Sequence, residues 1–154
     1  LAQWCAIRLL DSRAMFSELA TTEGPPPTGE FLADLGWTDS EMQAAIPLGQ
    51  LQERWRAFLR PGDTVVAWNT STLRMARLHH LVDDGIVLKS VYGNTTTRAF
   101  GTLEEVIAYD GLNPERELPV PGRAARRLGN AHAAALALGR WARARQARDM
   151  ALVA

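Results

Sequence analysis

Residues 60 to 78 read RPGDTVVAWNTSTLRMARL, and the reading of this stretch decides the fold class. Arg60 to Asp63 has the composition of a turn. Thr64 to Trp68 is a short apolar run suited to a strand, and polar Asn69 stops it. A cap-like Thr70-Ser71-Thr72 follows, and the spacing then predicts a helix from Ser71 to about Val82. A strand that runs almost directly into a helix is the unit of an α/β domain. Chemistry often sits at that edge, because backbone groups there are free to face a ligand. Here the edge carries an asparagine, hydroxyls and Leu73, with no nucleophile and no pair of carboxylates.

Upstream, LAQWCAIRLL (1–10) reads as a strand. Asp11-Ser12-Arg13 can turn, and AMFSELATTE (14–23) returns as an antiparallel partner. EGPPPTG is a stiff extended connector. Thr28 is placed to cap a short helix with Phe31, Leu32 and Leu35 on one face, closed by Gly36. Thr38 with Glu41 matches a capping box for a second short helix through Ala45. Leu51, Trp55, Phe58 and Leu59 mark a third, stopped by Pro61-Gly62. Downstream, Asp83-Asp84-Gly85 turns into IVLKSVY (86–92), whose alternation predicts a strand, and GNTTTRAFG (93–101) reads as a loop. Thr102 and Glu105 repeat the capping pattern before a helix carrying Leu103, Val106 and Ile107. A Pro/Gly-rich loop then leads into an alanine- and arginine-rich helix over 122–150. The expected fold is α/β, a mixed sheet flanked by helices, in one domain spanning 1–154.

A length of 154 residues suits one domain with a real core. With 47% apolar and 22% charged residues the composition is that of an ordinary globular protein. No apolar run approaches the ~20 residues that span a bilayer, and no signal-peptide pattern is present, so no membrane partner and a cytoplasmic location are expected. The first residue is Leu1, which reads as a segment of a longer chain. Cys5 is the single cysteine; its Trp-Cys-Ala-Ile setting suggests a buried strand thiol. The formal charge is zero but uneven: Gly122 to Met150 holds seven arginines and one acid, a balance of +6, so residues 1–121 carry −6.

Four constellations have residue types that could carry chemistry. His79 with Asp83, and His80 with Asp84, have i,i+4 spacing on the expected helix. A zinc site needs three or four converging ligands, however, so no metal is expected there. His132, among alanines, reads as a hydrogen-bonded core histidine. The threonines of residues 92–101 with Arg98 could hold an anion, although an ordinary solvated loop is the simpler reading. Arg123, Arg126, Arg127, Arg140, Arg143, Arg145 and Arg148 form the best candidate nucleic-acid surface, each phosphate contact adding a salt-dependent increment. The same arginines could instead pair with the chain's own acidic body. The five tryptophans are expected in packing roles.

On these residues the chain resembles the ribonuclease-H-like fold of the DEDD-type 3′–5′ exonucleases from about Thr28 to Arg143. TGEFLADLGWTDSEMQAAIP resembles their helix pair after the early strands. LQERWRAFLRPGDTVVAWN is similar to their helix and asparagine-ended strand, and GNAHAAALALGRWA to their final histidine-bearing helix. The resemblance implies four carboxylates around two metal ions that activate water. This sequence departs from that pattern. The first strand has only Asp11 in place of an acid-x-acid pair, Leu73 stands where an acid is expected four residues after Asn69, and Ala137 stands five after His132. Asn69, Leu73 and His132 would then mark a vestigial site. A second resemblance is to the carboxy-terminal extension of some bacterial DTW-domain proteins, a family that transfers an aminocarboxypropyl group from S-adenosylmethionine to tRNA uridine; the family's cysteines and signature are not in this chain. The expectation is a non-catalytic accessory domain, without cofactor or metal, contacting RNA, tRNA or a partner domain of the same longer chain. The competing readings are a metal-dependent hydrolase using Asp11, Glu18 and Asp63, and a docking domain of a tRNA-modifying transferase.

Overall fold

The computed structural model describes residues 2–21, 36–96, 98–114, 118–120 and 123–151. The connector EGPPPTG and the helix expected from Thr28, with Phe31, Leu32 and Leu35, lie outside the described residues.

The chain opens with an antiparallel hairpin, β1 (Ala2–Arg8) and β2 (Asp11–Thr21). Arg8 pairs with Asp11, so the turn is Leu9-Leu10 rather than the expected Asp11-Ser12-Arg13. Asp11 already belongs to β2, and its side chain accepts from the Arg13 N–H. Alternation puts Trp4 and Ala6 of β1 beside Phe16 and Ala20 of β2 on the core face. The capping box at Thr38 and Glu41 forms as the spacing predicts, opening α1 (Asp39–Gln43). A strand the sequence does not signal follows: β3 (Ile46–Pro47) lies parallel to β2, with Ile46 opposite Ala20. Two residues are too few to show any periodicity.

Helix α2 (Leu48–Phe58) buries Leu51 and Trp55 against the hairpin. The Trp55 ring meets Trp4 and Phe16 edge-on, at 5.5 and 5.2 Å between centroids. Its indole N–H donates to the Leu81 carbonyl. Arg8 locks the hairpin to the end of α2: it donates to the Phe58 carbonyl, stacks over the Phe58 ring, and pairs with Asp63 at 2.8 Å.

The deciding stretch forms β4 (Val65–Ala67), then α3 (Thr70–Leu78), then β5 (Gly85–Val87), with β4 and β5 parallel. Val65, Ala67 and Val87 face the core, and Leu73 and Ala76 of α3 pack over them. The helix stops four residues earlier than expected. Leu81 N–H returns to the Ala76 carbonyl and His80 N–H to that of Arg77, while His80 takes φ +51°. This is a Schellman ending with histidine in the left-handed position that glycine usually fills. The i,i+4 helical spacing of His79/Asp83 and His80/Asp84 therefore does not exist.

IVLKSVY is not one strand. Only Ile86 and Val87 extend; α4 (Leu88–Thr96) begins at once. Its alternation is overridden because Leu88 and Tyr92 lie i,i+4 on a helix and both fill a second core. Residues 93–96 of the expected loop are likewise helical. Helix α5 (Leu103–Tyr109) starts at Thr102, whose side chain accepts from Glu105 N–H, and the Glu105 carboxylate reaches back to Gly101 N–H at 2.9 Å. Helix α6 (Arg123–Ala151) closes the chain.

The fold is thus mixed α/β, but among the described residues the strands divide between two small sheets, ordered β1-β2-β3 and β4-β5, rather than forming the single sheet expected. Two cores underlie them. The first joins the hairpin, α2, β4 and α3; the second joins α4, α5 and α6. Among the described residues no helix is long and apolar enough to cross a membrane.

Candidate nucleic-acid interface

Helix α6 runs for 29 residues, about 43 Å at 1.5 Å per residue. Eleven alanines, the best helix formers, sustain that length. Tertiary packing holds only its middle. From Leu128 to Gly139 every residue is buried or half-buried. One side packs into the second core through Ala131, Ala134, Ala135 and Leu138. Another reaches the hairpin, where His132 Nε2 lies 2.9 Å from the Leu9 carbonyl oxygen. From Arg140 to Gln146 every residue is exposed, on all sides of the helix. This end projects beyond both cores.

The arginines sit on the two bare ends. Arg123, Arg126 and Arg127 are exposed at the start, and Arg140, Arg143 and Arg145 at the projecting end; the side chain of Arg148 lies outside the described ones. The ion pairs among the described residues join Arg8 to Asp63, Arg54 to Glu18 and Arg77 to Asp84. None uses Arg126, Arg127, Arg140, Arg143 or Arg145, so within the described structure the acidic body does not neutralise these five.

Trp141 departs from the packing role expected of the tryptophans: it is 44% exposed. Positions 134, 138, 141 and 145 follow one helical stripe, so Trp141 continues the core-facing line of Ala134 and Leu138 past the edge of the core. The Arg145 guanidinium lies over its ring at 5.5 Å. A second arginine-on-aromatic stack places Arg98 over Tyr109 at 5.0 Å, with Tyr109 51% exposed. Local sequence does not signal this exposure, since Trp55 in ERWRAF has equally charged neighbours and is 2% exposed.

The base of the projecting end is fixed by Tyr92. Its buried hydroxyl donates between the Asp110 carboxylate, at 2.9 Å, and the Ala134 carbonyl, at 3.2 Å. Burial, then the Asp110 hydrogen bond and charge, push the Tyr92 hydroxyl well above its ordinary range; the charge of Arg140 opposes this.

The positions of the expected vestigial site are each occupied structurally. The Asn69 side chain caps α3, its Oδ1 accepting from Thr72 N–H (2.8 Å), Thr72 Oγ1 (2.9 Å) and Ser71 Oγ (3.0 Å). Leu73 is 2% exposed in the first core, where its methyls abut Gly85. His132 is spent on the hairpin turn. The acids of the hydrolase reading are separated by role as well. Asp11 opens β2 at the hairpin turn, Glu18 pairs with Arg54, and Asp63 holds the turn before β4. Hydrogen bonds from the Arg60 N–H and from Arg8 hold the Asp63 carboxyl below its usual range. Among the described residues no three His, Cys, Asp or Glu side chains converge as a metal site would require. Part of the expected anion loop is helical, with Thr96 Oγ1 donating to the Tyr92 carbonyl inside α4, while Arg98 to Phe100 lie outside any helix. Cys5 is half-buried against Ser17 Oγ at 3.4 Å, and burial raises its thiol. Comparison with protein-family models, curated proteins and solved structures returns no match.

Proposed function

We propose that this chain is a non-catalytic accessory domain that holds RNA along the bare ends of α6. The observation that carries the reading is the projecting end, residues 140–146, with Arg140, Arg143 and Arg145 exposed and no carboxylate paired with them among the described residues. Arginine left unpaired on a rigid rod is suited to phosphate, because each contact releases a counterion from the nucleic acid. A ribonuclease-H-like ancestry is part of this reading. It is supported by the strand that ends at Asn69 and leads into α3. In that ancestry the edge of β4 has become helix cap and core, and binding has moved to α6.

A second reading, docking to a partner domain such as a tRNA-modifying transferase, is favoured by a different observation. Val66 and Ile86 are register partners on the face of β4-β5 away from α3, and are 41% and 44% exposed. Parallel strands are usually covered on both faces.

The test is retardation of tRNA on a native gel at low salt. The RNA reading expects a shifted band for the wild-type chain and its loss with Arg140→Ala/Arg143→Ala. Unchanged tRNA mobility with the wild-type chain at low salt refutes it.

A further inference from the structure

Resting on the RNA reading above, we infer that the projecting end of α6 selects unpaired bases, with Trp141 as the stacking platform and Arg145 backing its ring. Three observations converge on this. Trp141 is 44% exposed although it lies on the stripe that is core-facing one and two turns earlier. Arg145 lies over its ring at 5.5 Å, a cation–π contact that backs the indole on one face. Arg140 and Arg143 are exposed on the other faces of the same helical turn, so positive charge surrounds the ring. An aromatic face flanked by cations is how proteins hold single strands without reading sequence, since every base offers a π-face. A duplex offers a free base face only at its two ends, and an A-form groove would meet the arginines alone. The ligand class is therefore single-stranded RNA, or the loops and ends of folded RNA.

The experiment compares two labelled probes by fluorescence anisotropy at low salt, a short oligouridine and a blunt RNA duplex of equal length. The full chain is used, with far-UV circular dichroism as the folding control; Trp141 lies outside both cores, so its variants keep the fold. Trp141→Ala is expected to weaken oligouridine binding about tenfold and to leave duplex binding within about twofold, as the loss of one base stack predicts. Trp141→Phe, which keeps an aromatic face, is expected to restore most of the affinity. Arg140→Ala/Arg143→Ala should weaken both probes together. If Trp141→Ala weakens both probes equally, or neither, while the wild-type chain still binds, the stacking inference is overturned and the arginine reading stands. If the wild-type chain binds neither probe, both are overturned.

Discussion

Leu73→Asp places an acid where the exonuclease resemblance expects one, and the structure predicts that it unfolds the domain rather than building a site. Leu73 is 2% exposed, and its two methyls approach the position a Cβ would take on Gly85 to within 2.9 and 3.3 Å. Removing those apolar atoms costs about 3–4 kcal/mol, by analogy with buried leucine truncations. Burying a carboxyl with no donor arranged for it adds about 1–3 kcal/mol. The sum, about 4–7 kcal/mol, is a large part of the ~5–15 kcal/mol that holds a domain together, and corresponds to a fall in Tm of about 10–25 °C. The penalty has a signature in pH. The introduced carboxyl is disfavoured in its charged form when folded, so its folded pKa lies above its unfolded value of about 3.9. The variant's deficit must then grow as pH rises through and above that value, and shrink toward pH 3. Urea unfolding followed by circular dichroism at pH 4 and pH 7, beside a Leu73→Met control expected to lose less than ~1.5 kcal/mol, measures both. A Leu73→Asp chain as stable as wild type, or one stabilised by magnesium or manganese, refutes the reasoning.

Three further outcomes follow from local geometry. A Cβ on Gly85 would stand 2.7 Å from the Val65 carbonyl oxygen of the paired strand. Gly85→Ala should therefore cost about 1–3 kcal/mol by urea unfolding, and a neutral result would mean that β4 and β5 are not packed as described. His80 holds φ +51° at the end of α3, so His80→Gly should raise stability by about 0.5–1 kcal/mol, visible as a higher Tm; a lower Tm would contradict the Schellman ending. Tyr92→Phe should lose about 1–2 kcal/mol with its hydrogen bond to Asp110. Because the folded Tyr92 hydroxyl titrates above its ordinary value of about 10, it contributes stability below that pH and loses it as pH rises further. The alkaline fall in Tm above pH 10 should be shallower in Tyr92→Phe than in wild type.

The sequence was most legible where a local device acts alone. The capping box at Thr38 and Glu41, the Thr102 cap, the hairpin pairing and the final helix all follow from short-range chemistry. It was least legible where tertiary packing chose between two local preferences. Leu88 to Tyr92 alternates as a strand would, yet Leu88 and Tyr92 are both wanted by the second core, and only a helix delivers both. The end of α3 was misplaced because a histidine, not a glycine, takes the left-handed position. β3 was invisible because two residues carry no period. Of the candidate site, the exposed arginines could be read from composition, since residues that repeat through an alanine helix have few ways to be buried. The exposure of Trp141 could not, because it depends on where the second core ends beneath α6.

The salt dependence of tRNA affinity tests most directly whether Arg140, Arg143 and Arg145 hold RNA. Log Kd plotted against log salt concentration should be steep for the wild-type chain, each phosphate contact contributing about 0.7–0.9 to the slope. Arg140→Ala/Arg143→Ala removes two such contacts, so the account predicts weaker binding and a slope shallower by about 1.5. A double variant that keeps both the wild-type affinity and the wild-type slope would contradict it.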